Sequence, residues 1–135
     1  MLRSVRHRIS GSDAGFLYIE SDSQTSTCTH TVVLAAPAEG QAPLTRDELV
    51  AHLASRLDRT PHLRRRIQQV PGGIGHALMV DYPEFDLSTH VLSTQLEGTD
   101  SVEELHTLLA GQTPLLLATD RAPWRATLVD GLAAG

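Results

Sequence analysis

Thr45-Arg46-Asp47-Glu48-Leu49-Val50-Ala51-His52-Leu53-Ala54-Ser55-Arg56-Leu57 is the stretch on which the fold reading turns. A threonine three residues ahead of a glutamate is a capping box. The hydroxyl accepts from the amide three residues on, and the carboxylate reaches back to the threonine amide. Leu49, Val50, Leu53 and Leu57 then recur at helical spacing and make one apolar stripe. Pro61 closes the pattern, because a residue preceding proline is pushed out of the α region. A helix with a single apolar stripe must pack that stripe on something, and the flanking sequence supplies strands.

Downstream, residues 63–70 read as a strand with Arg64, Arg66 and Gln68 on one side. Pro71-Gly-Gly-Ile-Gly75 reads as a turn whose glycines supply positive φ. Residues 76–81 form the second strand of a hairpin, broken by Tyr82-Pro83-Glu84, and residues 89–96 a further strand. Ser101-Val-Glu-Glu104 repeats the capping box. Val102, Leu105, Leu108 and Leu109 form its stripe, and Gly111 with Pro114 ends it. Residues 124–129 alternate as a last strand before an Asp130-Gly131 turn. That strand is expected to lack a sheet neighbour, and an unpaired apolar edge recruits another strand. Upstream, residues 29–36 (Thr-His-Thr-Val-Val-Leu-Ala-Ala) are β-branched, apolar on both faces and stopped by Pro37, which predicts a sheet-central strand, with residues 37–43 as a loop. Phe16, Leu17 and Ile19 follow a Ser10 or Ser12 cap and close on Glu20. They read as a short helix, with a short strand as the alternative. The fold class is α+β: a mixed β-sheet with two main helices packed on it.

The 135 residues are enough for one domain, and 41% hydrophobic with 20% charged residues describes a globular chain. Aromatics make up only 4%, so Leu, Val, Ile and Ala must build the core. A net charge of -5 argues against nucleic acid as a partner. The basic start (Arg3, Arg6, His7, Arg8) and the Arg64-Arg65-Arg66 run read as solvated surface, the sharper alternative being contact with a phosphate or an anionic membrane. The single cysteine, Cys28, fits a reducing cytoplasmic setting and reads as a half-buried structural thiol. No secretory signal follows the basic start, and no apolar run approaches the ~20 residues of a spanning helix, so any meeting with a membrane would be peripheral.

Chemistry-bearing motifs are nearly silent. None of the seven histidines stands at the spacing of a zinc site, so no metal is expected. His52 and His106 read as surface or boundary residues on the two helices. Gly72-Gly73-Ile74-Gly75 lacks the Lys-Ser/Thr and the helix of a phosphate loop. Asp81, Glu84 and Asp86 read as solvated carboxylates.

A series of blocks nonetheless resembles one family. Ser10, Asp13, Phe16, Leu17 and Glu20 carry the Leu-Ser-x-x-Asp-x-x-Phe-Leu-x-x-Glu opening of the bacterial wax ester synthase/diacylglycerol acyltransferases. The Thr25-Ser-Thr-Cys-Thr-His30 stretch is similar to actinobacterial members. Pro61-His-Leu-Arg64-x-Arg66 resembles the Pro-x-Leu/Phe-Arg-x-Arg segment, and Gly75-His76, Val80-Asp81, Phe85-Asp86-Leu87 and His90-Val91 match the block after it. Pro123-Trp124 resembles the Pro-Leu-Trp segment, without its leucine. The resemblance spans essentially the whole chain and implies part of a chloramphenicol-acetyltransferase-like, CoA-dependent acyltransferase fold. It also implies acyl-CoA as co-substrate, with no bound cofactor, and a diacylglycerol or long-chain alcohol as acceptor. In the family a His-His-x-x-x-Asp-Gly motif supplies the general base, and no two histidines are adjacent here. Residues 1–135 therefore read as a partial N-terminal acyltransferase domain ending before that motif. It carries no catalytic residue of its own, and a complementing C-terminal half is a possible partner. Ser10, Asp13, Phe16, Glu20, Arg64, Arg66, Pro123 and Trp124 are family positions with structural roles as the expectation. A cytoplasmic protein, peripheral at a membrane or at lipid inclusions, is the implied setting. The alternative is a non-catalytic module that binds lipid, CoA or a completing partner.

Overall fold

The structure is a computed structural model that describes residues 6–21, 23–98, 101–112, 114–116 and 118–132. In chain order its elements are β1 (Arg6–Arg8), α1 (Gly11–Ile19), α2 (Arg46–Ala54), β2 (Arg65–Gln68), β3 (Leu78–Asp81), β4 (Val91–Gln95), α3 (Ser101–Gln112) and β5 (Ala126–Asp130). The α+β class stands, with α1 helical. Among the described residues two small sheets stand in place of one mixed sheet: antiparallel β1-β3-β2 and parallel β4-β5.

Each helix begins where a side chain can satisfy orphan amides. Ser10 caps α1 by accepting from the Asp13 amide at 3.1 Å. At α2 both arms of the capping box form: the Glu48 amide donates to Thr45 Oγ1 at 3.2 Å, and the Thr45 amide donates to Glu48 Oε2 at 2.8 Å. The α2 stripe packs as expected, with Leu49, Val50 and Leu53 against buried Leu57, Leu87 and Val91. The helix itself stops at Ala54, and Leu57 is carried by a separate 3-10 turn. At α3, where the second capping box is expected, Ser101 is already helical and Glu104 accepts from the Glu97 and Gly98 amides ahead of the helix. The position before Ser101 lies outside the described residues.

The predicted hairpin forms as β2 and β3, with Arg65 opposite Asp81 and Gln68 opposite Leu78. Gly72 (φ 74°) and Gly75 (φ 109°) take the left-handed conformations the turn requires. Arg64 falls outside the strand, in a 3-10 turn that Pro61 opens, so it does not share a strand face with Arg66. β1 was not anticipated; its three residues pair with β3 through the backbone. The last strand does have a neighbour. β5 lies parallel to β4, from Val91 opposite Ala126 to Gln95 opposite Asp130, with α3 as the crossover that parallel strands need.

The largest departure is at residues 29–36, which lie outside any helix or strand and are exposed throughout. β-branched composition favours a strand only where another strand supplies the ladder, and none does here among the described residues. Cys28, leading into this run, is accordingly exposed and not half-buried. Among the described residues the core is two separate clusters. Ile9, Ala14, Ile67 and Ala77 form one; Leu57, Leu87 and Val91 form the other, with Leu63, Phe85 and Trp124 packed on it.

Candidate functional site

The most closely built constellation is aromatic and sits where the loop after β3 meets the segment before β5. Tyr82-Pro83 turns the chain out of β3. Asp86 then caps a 3-10 turn (Leu87–Thr89) by accepting from the Ser88 amide at 2.9 Å and the Ser88 hydroxyl at 2.8 Å. Those bonds hold the Asp86 carboxyl below its ordinary range, with His90 and Arg46 adding smaller attractions. The turn delivers His90 against two rings, Phe85 at 5.0 Å and Trp124 at 4.8 Å between centroids, and these two lie 6.3 Å from each other, so the three form a triangular cluster.

His90 alone of the seven histidines is buried, at 3% exposure. Its Nδ1 lies 2.8 Å from the Trp124 carbonyl oxygen. A carbonyl can only accept, so Nδ1 carries a proton and donates it to this bond. The Trp124 indole in turn donates to the Leu63 carbonyl at 2.8 Å, and the Ala126 amide donates to the His90 carbonyl at 2.9 Å. Arg46, at the start of α2, donates through Nε to the Val91 carbonyl at 2.8 Å and through Nη2 to the Ser88 carbonyl at 2.6 Å. One arginine and three rings therefore tie α2, β4 and β5 together. A buried histidine packed against two rings that also touch each other, and bonded to a main-chain carbonyl, is a structural latch. Nothing in this arrangement pairs it with a nucleophile.

The family-motif positions divide into two groups. Ser10 Oγ donates to the Asp13 carboxylate at 2.7 Å, so these two residues complete the α1 cap. Phe16 is exposed, and Glu20 accepts from the Ser26 amide at 3.3 Å, fastening the chain after the helix. The second group gathers around residue 63: Trp124 holds the Leu63 carbonyl, and the adjacent Arg64 pairs with Asp58. Pro123 precedes that indole, half-buried. Arg66 is half-buried in β2 opposite Val80, while its neighbour Arg65 pairs with Asp81 at 3.2 Å. Trp124 packs on the Leu57 cluster, while α1 and the β2 strand that holds Arg66 contribute to the Ile9 cluster, so the family positions are spread over both. The sequence placed Phe85 and His90 in a family block without giving them a role, and gave no sign of the part Arg46 plays. His90 and Phe85 are five residues apart on an irregular turn, which no periodicity marks.

His52 and His106 are both exposed. Among the described residues no group of histidine, cysteine or carboxylate side chains is arranged to hold a metal, and no helix is long and apolar enough to cross a membrane. Two hollows open to solvent. One lies under Leu57, Arg64, Phe85 and Leu87; the other lies between Leu34, Leu44, Leu49 and His52.

Comparison with known proteins gives a consistent answer. Residues 9–135 match the family described as wax ester synthase/diacylglycerol acyltransferase catalytic domain. The probable diacylglycerol O-acyltransferase tgs3 of Mycobacterium tuberculosis is 31% identical over 125 residues, covering 93% of this chain and 45% of that protein. The probable diacylglycerol O-acyltransferase tgs1 of the same organism is 31% identical over 122 residues, covering 90% of this chain and 26% of that protein. Among solved structures, the wax ester synthase/diacylglycerol acyltransferase from Marinobacter aquaeolei VT8 superposes with a TM-score of 0.62 at 22% identity, over 94% of this chain and 30% of that one. That likeness shows the fold, which is chloramphenicol-acetyltransferase-like. The chain spans less than half the length of each of these proteins.

Proposed function

From the premise that this chain belongs to the wax ester synthase/diacylglycerol acyltransferase catalytic-domain family, we propose that it forms the N-terminal part of an acyl-CoA-dependent O-acyltransferase. The acceptor is a diacylglycerol, giving triacylglycerol, or a long-chain alcohol, giving a wax ester. The match over residues 9–135 carries this reading. The chemistry needs a base beside the acceptor hydroxyl, because a neutral alcohol attacks a thioester slowly and histidine is the side chain that can take its proton near neutral pH. The 135 residues contain no adjacent histidine pair, and buried His90 is occupied by Trp124 and Phe85. The chain's own contribution is therefore scaffolding: the Trp124 latch and the α1 cap hold the framework, and the base comes from elsewhere in the domain. Acyl-CoA enters as a co-substrate, with no resident cofactor. The protein works in the cytoplasm, peripherally at a membrane or at lipid inclusions.

The test is CoA release from palmitoyl-CoA with a diacylglycerol or hexadecanol. The 135-residue chain releases none above buffer. Fused to the portion of tgs3 that lies outside the matched stretch, it releases CoA only when an acceptor is present. Release by the isolated chain overturns the assignment of its role as scaffolding. A cooperatively folding fusion that is silent with both acceptors overturns the acyltransferase reading. The second reading, a non-catalytic module completed by a partner, is favoured by the exposed apolar run at residues 29–36. It would be supported by lipid binding without turnover in the same fusion.

A further inference from the structure

Charge is segregated along this sequence, and the fold concentrates the segregation. The chain has no lysine, and seven of its eleven arginines fall in residues 1–12 and 59–80, stretches that hold none of the sixteen acidic residues. β1 and β2 come from these two stretches and flank β3 in one sheet. The register places Arg8 opposite Leu78 and Arg66 opposite Val80. Residues directly opposite share a face, and α1 packs on the other one, through Ile67 and Met79. Asp81 pairs with Arg65 and Asp58 with Arg64. Among the described residues no carboxylate pairs with Arg8 or Arg66.

An apolar tip adjoins these cations. The row of Arg8, Leu78 and Gln68 is the last before the β2–β3 turn. On that turn Ile74 is 84% exposed, the most of any large apolar side chain among the described residues. Tyr18 on α1 donates to the Gly75 carbonyl at 3.4 Å, which sets its exposed ring beside the same turn. A tyrosine presents an apolar body and a polar end, the combination that suits a boundary between water and hydrocarbon. The spacing of the cations says what they fit. Neighbouring strands lie about 4.8 Å apart, so Arg8 and Arg66, two strands and two residues apart, are roughly 12 Å from each other. One phosphate cannot bridge that distance, whereas a surface carrying many phosphates engages both. The exposed Ile74 needs an apolar layer next to those phosphates, which a bilayer has and a nucleic acid lacks.

We propose that the turn end of the β1-β3-β2 sheet docks on an anionic phospholipid surface. Arg8 and Arg66 take headgroup phosphates, Ile74 enters the apolar layer beneath them, and Tyr18 sits at the boundary. The proposal rests on the peripheral membrane setting read for this acyltransferase and names the surface that makes the contact.

Vesicle flotation tests it on the 135-residue chain and on the fusion to the outlying portion of tgs3. Both bind vesicles of equimolar phosphatidylglycerol and phosphatidylcholine, bind pure phosphatidylcholine far more weakly, and dissociate as salt rises from about 0.1 M to about 0.5 M. Arg8→Gln and Arg66→Gln each weaken binding by about fivefold, and Ile74→Ser by about tenfold. Arg121→Gln removes the same charge from outside the two basic stretches and changes nothing. Should Arg66→Gln fold poorly by far-ultraviolet dichroism, the exposed positions Arg8 and Ile74 carry the test. The proposal is overturned by equal binding to both vesicle types, by Arg8→Gln and Ile74→Ser binding as the parent does, or by an equal loss in Arg121→Gln. Displacement from the vesicles by millimolar CoA or inorganic phosphate overturns it in favour of a soluble phosphate ligand. A fusion that does not bind shows the surface to be covered and overturns it too. CoA release by the fusion, with substrates dispersed in detergent, separates the two readings. Turnover without vesicle binding removes the docking surface alone, and binding without turnover removes the acyltransferase activity alone.

Discussion

Residues 29–36 and the β4–β5 pair are written in the same kind of sequence and end in opposite surroundings. Val32-Val33-Leu34 is largely exposed, whereas Val91 is entirely buried and β5 is half-buried along its length. β-branched composition does not separate them. The difference is the tertiary support that only one of them has. β4 has β5 in parallel register, the α2 stripe above it and Arg46 holding its first carbonyl. It also has His90 just ahead of it, gripped by Phe85 and Trp124. Intrinsic strand preference is worth at most about 1 kcal/mol, and packing decides whether it is used.

The sharpest way to break this comparison is to remove the support from the buried side. Trp124→Ala deletes the ring that covers His90 and the donor to the Leu63 carbonyl, and leaves a void beside Leu57 and Val91. The expected loss is about 3 kcal/mol, the lower end for a large aromatic because the indole is only half-buried. Trp124→Phe keeps a stacking ring and loses mainly the hydrogen bond, about 1 kcal/mol. Urea unfolding followed by far-ultraviolet dichroism measures both. Equal losses for the two variants would mean that stacking contributes nothing and that the β4–β5 pair stands on its ladder alone.

What could be seen in the sequence was local. Thr45 and Glu48 announce a helix start because both partners of each bond lie within one turn. The Pro71–Gly75 turn announces the hairpin because glycine is needed where φ is positive. The apolar stripe of α2 was legible for the same reason. β1 was hidden, since Arg6–Arg8 joins the sheet through backbone bonds that need no particular side chain. Arg46 was hidden because its partners are main-chain carbonyls 42 and 45 residues away. The contact of His90 with Trp124 is likewise tertiary, since the two are 34 residues apart; the family block marked His90 without showing that partner. The family positions were visible as a series of blocks. That they are spread over two clusters follows from the topology, which puts α1 against the β1-β3-β2 sheet and Trp124 beside α2.

A second prediction sharpens the comparison at the helix that covers β4. Thr45→Ala removes the N-terminal cap of α2 and is expected to cost about 1 kcal/mol. The effect depends on pH with a definite sign. The backbone amide and then the hydroxyl of Thr45 hold the Glu48 carboxyl below its ordinary value of 4.5. A depressed folded-state value means that the carboxylate arm is fully present above about pH 4.5 and is lost as the pH falls through the folded value. The gap between the parent chain and Thr45→Ala should therefore be widest at neutral pH and shrink below pH 4.5, as read from thermal melts across an acid series. A gap that widens on acidification would show that the box does not act through the Glu48 carboxylate.

The smallest expected effect falls on the other side of the comparison. Val33→Asp places a charge in the middle of the strongest sheet-forming run, where a buried strand would lose several kcal/mol to an unpaired charge. Val33 is 70% exposed and packs in neither core cluster, so the isolated chain should lose less than about 0.5 kcal/mol, the ordinary scale for a surface change. The same substitution at Val91 should unfold the chain, because that side chain is fully buried between α2 and the aromatic stack. The ratio of the two urea midpoint shifts measures how completely the run depends on a partner. If Val33→Asp costs more than about 1 kcal/mol in the isolated chain, the run already packs against its own fold in solution, and its exposure cannot be what distinguishes it from β4.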